Sequence, residues 1–282
     1  MEEESSSRSM DMLHGTIGDK LLYFAIPLAA TGILQQLFNA ADIAVVGRCV
    51  GKEAMAAVGG NSPIIALLIN LFTGISIGAN VVIARFIGQN NAEGVKRTVH
   101  TALLFAFVSG TIFAVFCEWI SRPLLSLMSI PDNVFDMALL YFRVYVAGMP
   151  VILLYDFASA IFRSQGNTKT PLICLLTSGI INVLLNLFFV VVLHMTVNGV
   201  ALATVISNLI SSALLIYFLH REQSAIHFSY HCLGIDTKTL LQMVRIGLPA
   251  GIQGMVFSFS NIIIQSSINQ LGDDVGGILG GF

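Results

Sequence analysis

Long apolar stretches dominate the pattern of hydrophobic and polar positions along this chain of 282 residues. A membrane-spanning helix needs about 20 consecutive, mostly apolar residues, and seven stretches meet or begin to meet that need. Gly, Ser, Thr and Asn recur within them without strict alternation, which favours helices packed through small residues over a barrel. The pattern therefore predicts an all-α polytopic membrane protein. The stretches are Leu21–Val46, Ala54–Ile83, Thr98–Ile120, Met137–Phe162, Pro171–Leu193, Val197–Leu219 and a seventh that starts near Leu240.

Composition supports this class and narrows the function. Hydrophobic residues make up 55% of the chain and charged residues 11%, and the mean hydropathy is +0.82, which lies outside the range of soluble domains. A net charge of −2 gives no sign of a nucleic-acid partner. No catalytic motif occurs in the context that it needs, and the four cysteines lack paired spacing. We expect neither an enzyme, a cofactor nor a zinc site.

The distribution of Lys and Arg predicts the orientation of the helices, because basic residues concentrate in cytoplasmic loops. With a cytoplasmic N-terminus, ten basic residues fall on the inner side and only Arg48, Lys52 and Arg122 on the outer side, while Arg143 lies inside a span. We therefore expect a multi-pass protein of the plasma (inner) membrane with its N-terminus in the cytoplasm. The ten inner residues are Arg8, Lys20, Arg85, Lys96, Arg97, Arg163, Lys169, Arg221, Lys238 and Arg245.

The first and seventh stretches align without gaps. The alignment of FAIPLAATGILQQLFNAADIA with IGLPAGIQGMVFSFSNIIIQS pairs Pro27 with Pro249, Gly32 with Gly254 and Asn39 with Asn261. Chance recurrence in a helix-rich chain is one interpretation, and duplication of a six-helix unit is the other. Duplication predicts a cytoplasmic tail at 1–20, a six-helix bundle at 21–220, a cytoplasmic loop at 221–239 and the start of a second repeat at 240–282. The Gly-rich ending GDDVGGILGGF then predicts truncation within the seventh helix.

Acids and amides inside the spans are the candidate functional residues, since an ionisable group at bilayer depth is costly unless it is paired, hydrated or protonated. The two acids are Asp42 and Asp156. Polar stripes at helical spacing accompany them, and interhelical hydrogen bonding is the alternative role for their neutral members. For Asp42 we predict that the carboxylate gains and loses a cation. The stripes comprise Gln35, Asn39 and Asp42; Ser178, Asn182 and Asn186; and Thr204, Asn208 and Ser211.

Five segments, in this order and spacing, resemble the N-terminal half of the MATE (multidrug and toxic compound extrusion) family. They are GTIGDKLLYFAIPLAATGILQQLFNAADIAVVGR, EAMAAVGGNSPI, GISIGANVVIARFIGQNN, IFRSQGNTKTP and NGVALATVISN. The resemblance implies two six-helix bundles that face each other across a central cavity. This cavity opens alternately to each side of the membrane. It also implies export of organic cations or amphipathic drugs in exchange for protons or sodium. The expected partners are these small molecules, membrane lipid and an absent C-terminal half.

The resemblance places Asp42 on the helix-1 acid of the cavity in this bundle. It places the remaining members of that polar cluster on Tyr141, Asp156, Asn182, Asn186 and Thr204. We take Asp42, Asp156, Asn182 and Asn186 as the cation-coupling group, with sodium at Asp42 as the alternative to a proton. The expected cavity lining consists of Gln35, Asn39, Tyr141, Ser178, Thr204 and Asn208.

Two positions depart from the family pattern. Many DinF-like members carry an acid where Asn186 stands and an amide where Asp156 stands, so we predict that these two positions are functionally exchangeable. NorM-like members carry an acid in helix 7 where Phe257 stands, which leaves an ion site in the second half unsupported.

Two other functions stay open. A lipid-precursor flippase of the same superfamily would favour a lumen rich in Arg and Lys, and a non-transporting half-transporter would lack the opposite wall of the cavity.

Overall fold

The computed structural model describes residues 17–128, 130–229 and 234–269, and every regular element within them is helical. Six of these helices are long and apolar enough to cross a membrane, and a bent pair, α4 and α5, makes a seventh candidate span. The predicted all-α membrane class is confirmed. The helices are α1 (Ile17–Cys49), α2 (Lys52–Gly88), α3 (Ala92–Ser126), α4 (Asp132–Ala147), α5 (Met149–Ser164), α6 (Lys169–Leu187), α7 (Val197–Arg221) and α8 (Thr237–Asn269).

The fourth span is broken in the middle. Helix α4 ends at Ala147, α5 begins at Met149, and their axes differ by 50°. Pro150 has no backbone N–H to donate to the preceding turn, and its ring disfavours a straight continuation. The backbone N–H groups of Val151 and Ile152 instead donate to the Gly148 carbonyl at 3.1 Å. The predicted span Met137–Phe162 is therefore a pair of helices with a bend between them rather than one straight helix.

Helix α6 leads into a widened turn at Phe188–Val192, in which the Leu193 N–H donates to the Phe188 carbonyl five residues earlier at 3.1 Å. Such widened turns in α-helical segments are frequent next to functional sites. Asn186, one of the predicted coupling residues, lies two residues before this turn.

Two apolar clusters form the interior. One lies at the end of the bundle where α2 turns into α3 and includes Val82, Val99 and Leu219. The other lies at the opposite end, where α1 turns into α2, and includes Val46 and Phe142. Asp42 stands one helical turn before Val46, so the acid lies next to the second cluster.

Helix α8 packs closely along α2. A Cβ atom on Gly74 would overlap the backbone of Gly251, and one on Gly78 would overlap the carbonyl of Met243. Only glycine permits this approach, because no side chain separates the two backbones. The Asn70 amide of α2 also donates to Ser258 Oγ of α8 at 2.7 Å.

Helices α1 and α8, the two members of the proposed repeat, are both 33 residues long, with internal prolines at Pro27 and Pro249. The division into a tail, six-helix bundle, loop and second repeat stays a prediction. Residues 1–16 and 270–282, on which the tail and the truncation depend, lie outside the described residues.

Candidate functional site

Asp42 is the buried acid of α1, with 6% of its surface exposed. Asn186 of α6 donates a hydrogen bond from its amide to Asp42 Oδ1. Thr204 Oγ1 of α7 lies 3.3 Å from Asp42 Oδ2 and donates to it. Each carboxylate oxygen therefore has a neutral donor, and the acid joins three helices.

A second group of side chains supports these donors. Asn186 also donates to Asn182 Oδ1 at 3.2 Å, and the Asn182 amide lies 3.5 Å from both Thr204 Oγ1 and Ser207 Oγ. Asn182 and Asn186 are one turn apart on α6, whereas Thr204 and Ser207 are one turn apart on α7. The helical spacing of the polar residues thus places both pairs on the surface where α6 meets α7.

The hydrogen-bond capacity around Asp42 is only partly used. Thr204 Oγ1 carries one hydrogen but lies within reach of two acceptors, Asp42 Oδ2 and the Val200 carbonyl at 3.0 Å. Within the part of the chain that the structure describes, the buried Asn186 Oδ1 accepts no hydrogen bond. A buried acceptor without a donor is costly. The arrangement therefore has an unused acceptor that could bind an added proton or a small cation.

The donor set suits a monovalent ion. It contains one carboxylate and the neutral oxygens of Asn182, Asn186 and Thr204. Among the described residues, no three or more His, Cys, Asp or Glu side chains form a group that could hold a metal. Hard cations prefer such oxygen ligands, and a single carboxylate neutralises one positive charge.

Tyr141, predicted to belong to this cluster, is buried, and its ring centroid lies 6.1 Å from that of Tyr145. The two tyrosines are four residues apart and lie on one face of α4. No hydrogen bond among the described residues joins Tyr141 to Asp42, so its membership of the cluster stays a prediction.

Asp156 has a different neighbour. Its Oδ2 accepts a hydrogen bond from Thr73 Oγ1 of α2 at 3.1 Å, and it does not enter the hydrogen-bond network of Asp42 that the described residues form. Sequence reasoning grouped the two acids because the resemblance to the family places both of them in one polar cluster. In the structure, the carboxylate of Asp156 extends from α5 to Thr73 on α2.

Four predicted cavity residues form no hydrogen bond with Asp42 within the part of the chain that the structure describes. Gln35 and Asn39 are exposed, and the Asn39 amide donates to Gln36 Oε1 at 3.3 Å. The hydroxyl of Ser178 donates to the Leu175 carbonyl at 3.0 Å, and the amide of Asn208 to the Thr204 carbonyl at 2.8 Å. The described helices cover the surface of α1 at Asp42 but not at Gln35 and Asn39, and the place of these four residues in a cavity stays a prediction.

Sequence reasoning missed three residues near the acids, namely Thr73, Tyr145 and Ser207. Helix α2 carried a usable signal, since Asn70, Thr73 and Asn80 are three and seven residues apart and fall near one face. Asn80 donates to the Ala160 carbonyl of α5 at 3.1 Å. Ser207 follows Thr204 by three residues, a spacing that also places both side chains on one face.

Comparison with known proteins shows the family to which the chain belongs. Residues 27–188, more than half of the chain, match the family model described as MatE. The chain belongs to the MatE family. The resemblance seen in the sequence is thereby confirmed at the level of the family, and the relatives that the chain matches are transporters rather than enzymes.

The MatE chain is similar to the "Probable multidrug resistance protein YoeA" of Bacillus subtilis, with 32% identity over 260 residues that make up 89% of this chain and 56% of that protein. It shares its fold with solved structures of a multidrug resistance MATE family transporter. An outward-facing structure matches with a TM-score of 0.83 and 24% identity over 96% of this chain and 60% of the other. An inward-facing structure matches with a TM-score of 0.81 and 23% identity over 92% of this chain and 60% of the other. The chain spans little more than half the length of these relatives.

Proposed function

We propose that this chain forms the ion-coupling bundle of a secondary active exporter, an antiporter that exchanges cationic or amphipathic drugs for protons or sodium across the plasma (inner) membrane. Similarity to the probable multidrug resistance protein YoeA of Bacillus subtilis supports multidrug export. The observation that carries the coupling role is the buried Asp42, which accepts hydrogen bonds from two neutral donors and lies beside an amide oxygen that accepts none from the described residues.

The proposed mechanism follows from charge. An ionised carboxylate attracts a cation far more strongly in a low-dielectric interior than in water. When a proton binds Asp42, the Thr204 hydroxyl turns to the Val200 carbonyl and its oxygen accepts from the new carboxyl O–H. When sodium binds, rotation of the Asn186 amide directs Oδ1 to the ion. Either event neutralises the acid and removes its attraction for a cationic drug.

Asp42→Asn tests this proposal, because the amide keeps the shape of the side chain but cannot ionise. We expect gradient-driven efflux of a cationic dye from proteoliposomes to fall to the background, with normal insertion in the membrane. Asp136→Asn is the matched control, since Asp136 is an exposed acid on α4, and it should transport like the wild type. Wild-type efflux by Asp42→Asn would refute the coupling role.

Ion binding is tested separately from transport. Because the chain spans little more than half the length of its relatives, transport is measured on a full-length chimera in which this chain replaces the matching part of YoeA. Difference infrared spectroscopy of the chain itself reports protonation of a carboxyl group. We expect a protonation or sodium-dependent carboxyl band that Asp42→Asn removes. If that band persists in the variant, the ion binds elsewhere.

A further inference from the structure

A cavity of about 630 Å³ opens at the end of the bundle opposite to the Asp42 site. It lies among the start of α1, the turn between α5 and α6, and the end of α7. Its lining includes Tyr23, Lys169, Tyr217 and Arg221. None of its lining residues belongs to the Asp42 network, so the cavity needs an explanation of its own.

The cavity presents two cationic side chains that aromatic rings hold in place. Lys169 Nζ donates to the Tyr23 hydroxyl at 2.6 Å and lies 4.4 Å from the centroid of that ring. The guanidinium of Arg221 lies 5.1 Å from the centroid of the Tyr217 ring. Cation–π contacts fix the direction of a charge without neutralising it.

The charge in the cavity is positive. Neither Lys169 nor Arg221 forms an ion pair with a carboxylate among the residues that the structure describes. Glu222 also lines the cavity, and its single negative charge is smaller than the two positive charges. A ligand with at least one negative charge complements this lining, and a phosphate group can accept hydrogen bonds from both cations.

An exposed apolar stripe leaves the cavity along α6. It begins at Ile173, which lines the cavity and is 60% exposed, and continues through Leu176, Ile180 and Leu184. These residues follow each other at three- and four-residue spacing and lie near one face. From Ile173 to Leu184 the stripe is about 16 Å long at 1.5 Å per residue. That is about half the thickness of the hydrocarbon core of a bilayer.

We propose that this cavity binds one anionic phospholipid. Its phosphate lies between Lys169 and Arg221, and an acyl chain lies along the stripe from Ile173 to Leu184. Tyr23 lies in the second turn of α1 and Tyr217 about one turn before the end of α7. Aromatic residues near the ends of spans contact lipid headgroups, and basic pockets between helices bind anionic headgroups. A free phosphate ion would satisfy the cations but would leave the apolar stripe unused.

Lipid titration of the full chain in detergent, read by native mass spectrometry, tests the site. We expect preferential binding of phosphatidylglycerol over phosphatidylcholine. The double variant Lys169→Gln with Arg221→Gln should lower the affinity for phosphatidylglycerol about thirtyfold, from the usual contribution of two basic residues near an anionic lipid. The matched control is Lys96→Gln with Arg97→Gln, two exposed residues of α3 at the same end of the bundle, and it should bind like the wild type.

Three further measurements separate the alternatives. Lys169→Arg with Arg221→Lys keeps both charges and should retain binding, whereas loss of binding in this variant would overturn the charge argument. Ile180→Asn should weaken phosphatidylglycerol binding, and millimolar inorganic phosphate should not displace the lipid. Displacement by phosphate together with an unaffected Ile180→Asn would show a free-phosphate site and overturn the lipid proposal. Equal losses in the Gln double variant and its α3 control would show unspecific attraction and also overturn it.

Discussion

Asp42 and Asp156 are both carboxylates inside predicted spans, yet they have different partners. Asp42 accepts from Asn186 and Thr204, on α6 and α7, whereas Asp156 accepts from Thr73 on α2. The predicted exchange of acid and amide between Asp156 and Asn186 stays a prediction. The structure adds a constraint, because a carboxylate at position 186 would directly face Asp42 and the two charges would repel.

We predict that Asp156 is energetically coupled to Thr73 and not to Asn182. In double-mutant cycles on the free energy of unfolding in detergent, Asp156→Asn with Thr73→Val should give a coupling of about 1 to 2 kcal/mol, typical of a hydrogen bond to a charged group. Asp156→Asn with Asn182→Ala should be additive within about 0.5 kcal/mol. A larger coupling to Asn182 than to Thr73 would place Asp156 in the Asp42 network after all.

At the scale of helices, the contact between α2 and α8 depends on the absence of side chains. Gly74→Leu should push α8 away from α2, because even a Cβ atom there would overlap the backbone of Gly251. Disulfide formation between Asn70→Cys and Ser258→Cys reports the contact, since the native side chains are hydrogen-bonded. We expect the crosslink to form readily and to fall at least about fivefold with Gly74→Leu, in keeping with the close approach that small residues permit.

Gly60→Ala is the control for this measurement. Gly60 lies on the same helix, but a Cβ atom there would have no neighbour within 4 Å. In Gly60→Ala the crosslink should form as readily as in the double-cysteine variant with native glycines. A loss as large as with Gly74→Leu would mean that any change in α2 disturbs α8.

The start of α8 carries a capping acid outside the spans. Asp236 accepts from Thr239 Oγ1 at 2.7 Å and from the Lys238 N–H at 3.1 Å. The hydrogen bond from Thr239 lowers the pKa of Asp236 below its ordinary value. A lowered pKa means that the folded state favours the ionised form, so the cap is present at neutral pH and is lost as the pH falls through the folded pKa, below about 4.

We therefore predict that the first turn of α8 loosens in acid. Hydrogen exchange of the Lys238 amide, corrected for the intrinsic effect of pH, should accelerate below about pH 4 in the wild type. Asp236→Ala should exchange fast already at neutral pH, because the acceptor is gone. Equal protection in the wild type and Asp236→Ala at neutral pH would contradict the capping role.

At the scale of the whole molecule, the asymmetry of basic residues predicts a cytoplasmic N-terminus. The same orientation places the loop between α7 and α8 in the cytoplasm. In intact cells, on a background without native cysteines, an impermeant thiol reagent should label Lys52→Cys but leave Ala225→Cys unlabelled. Both positions are exposed, so access to solvent does not bias the comparison, and permeabilised cells should label both. Labelling of Ala225→Cys alone in intact cells would reverse the orientation.

The sequence by itself determined the membrane class and the seven apolar spans, and it singled out Asp42 as a candidate functional residue. These follow from short-range chemistry, since a bilayer core demands about 20 apolar residues and makes any acid within them conspicuous. It also brought Asn182, Asn186 and Thr204 into the candidate site, because regular helical spacing places such residues on one face.

The tertiary structure alone decided which helix each polar face meets. It joined Asp42 to α6 and α7, directed Asp156 towards Thr73, left Gln35 and Asn39 exposed, and brought the glycines of α2 and α8 together. It also placed Lys169 and Arg221 at one cavity, although 52 positions separate them in the chain. Helical periodicity fixes the direction of a side chain only relative to its own axis, whereas hydrogen bonds and cavities depend on how separate helices are rotated and spaced against one another.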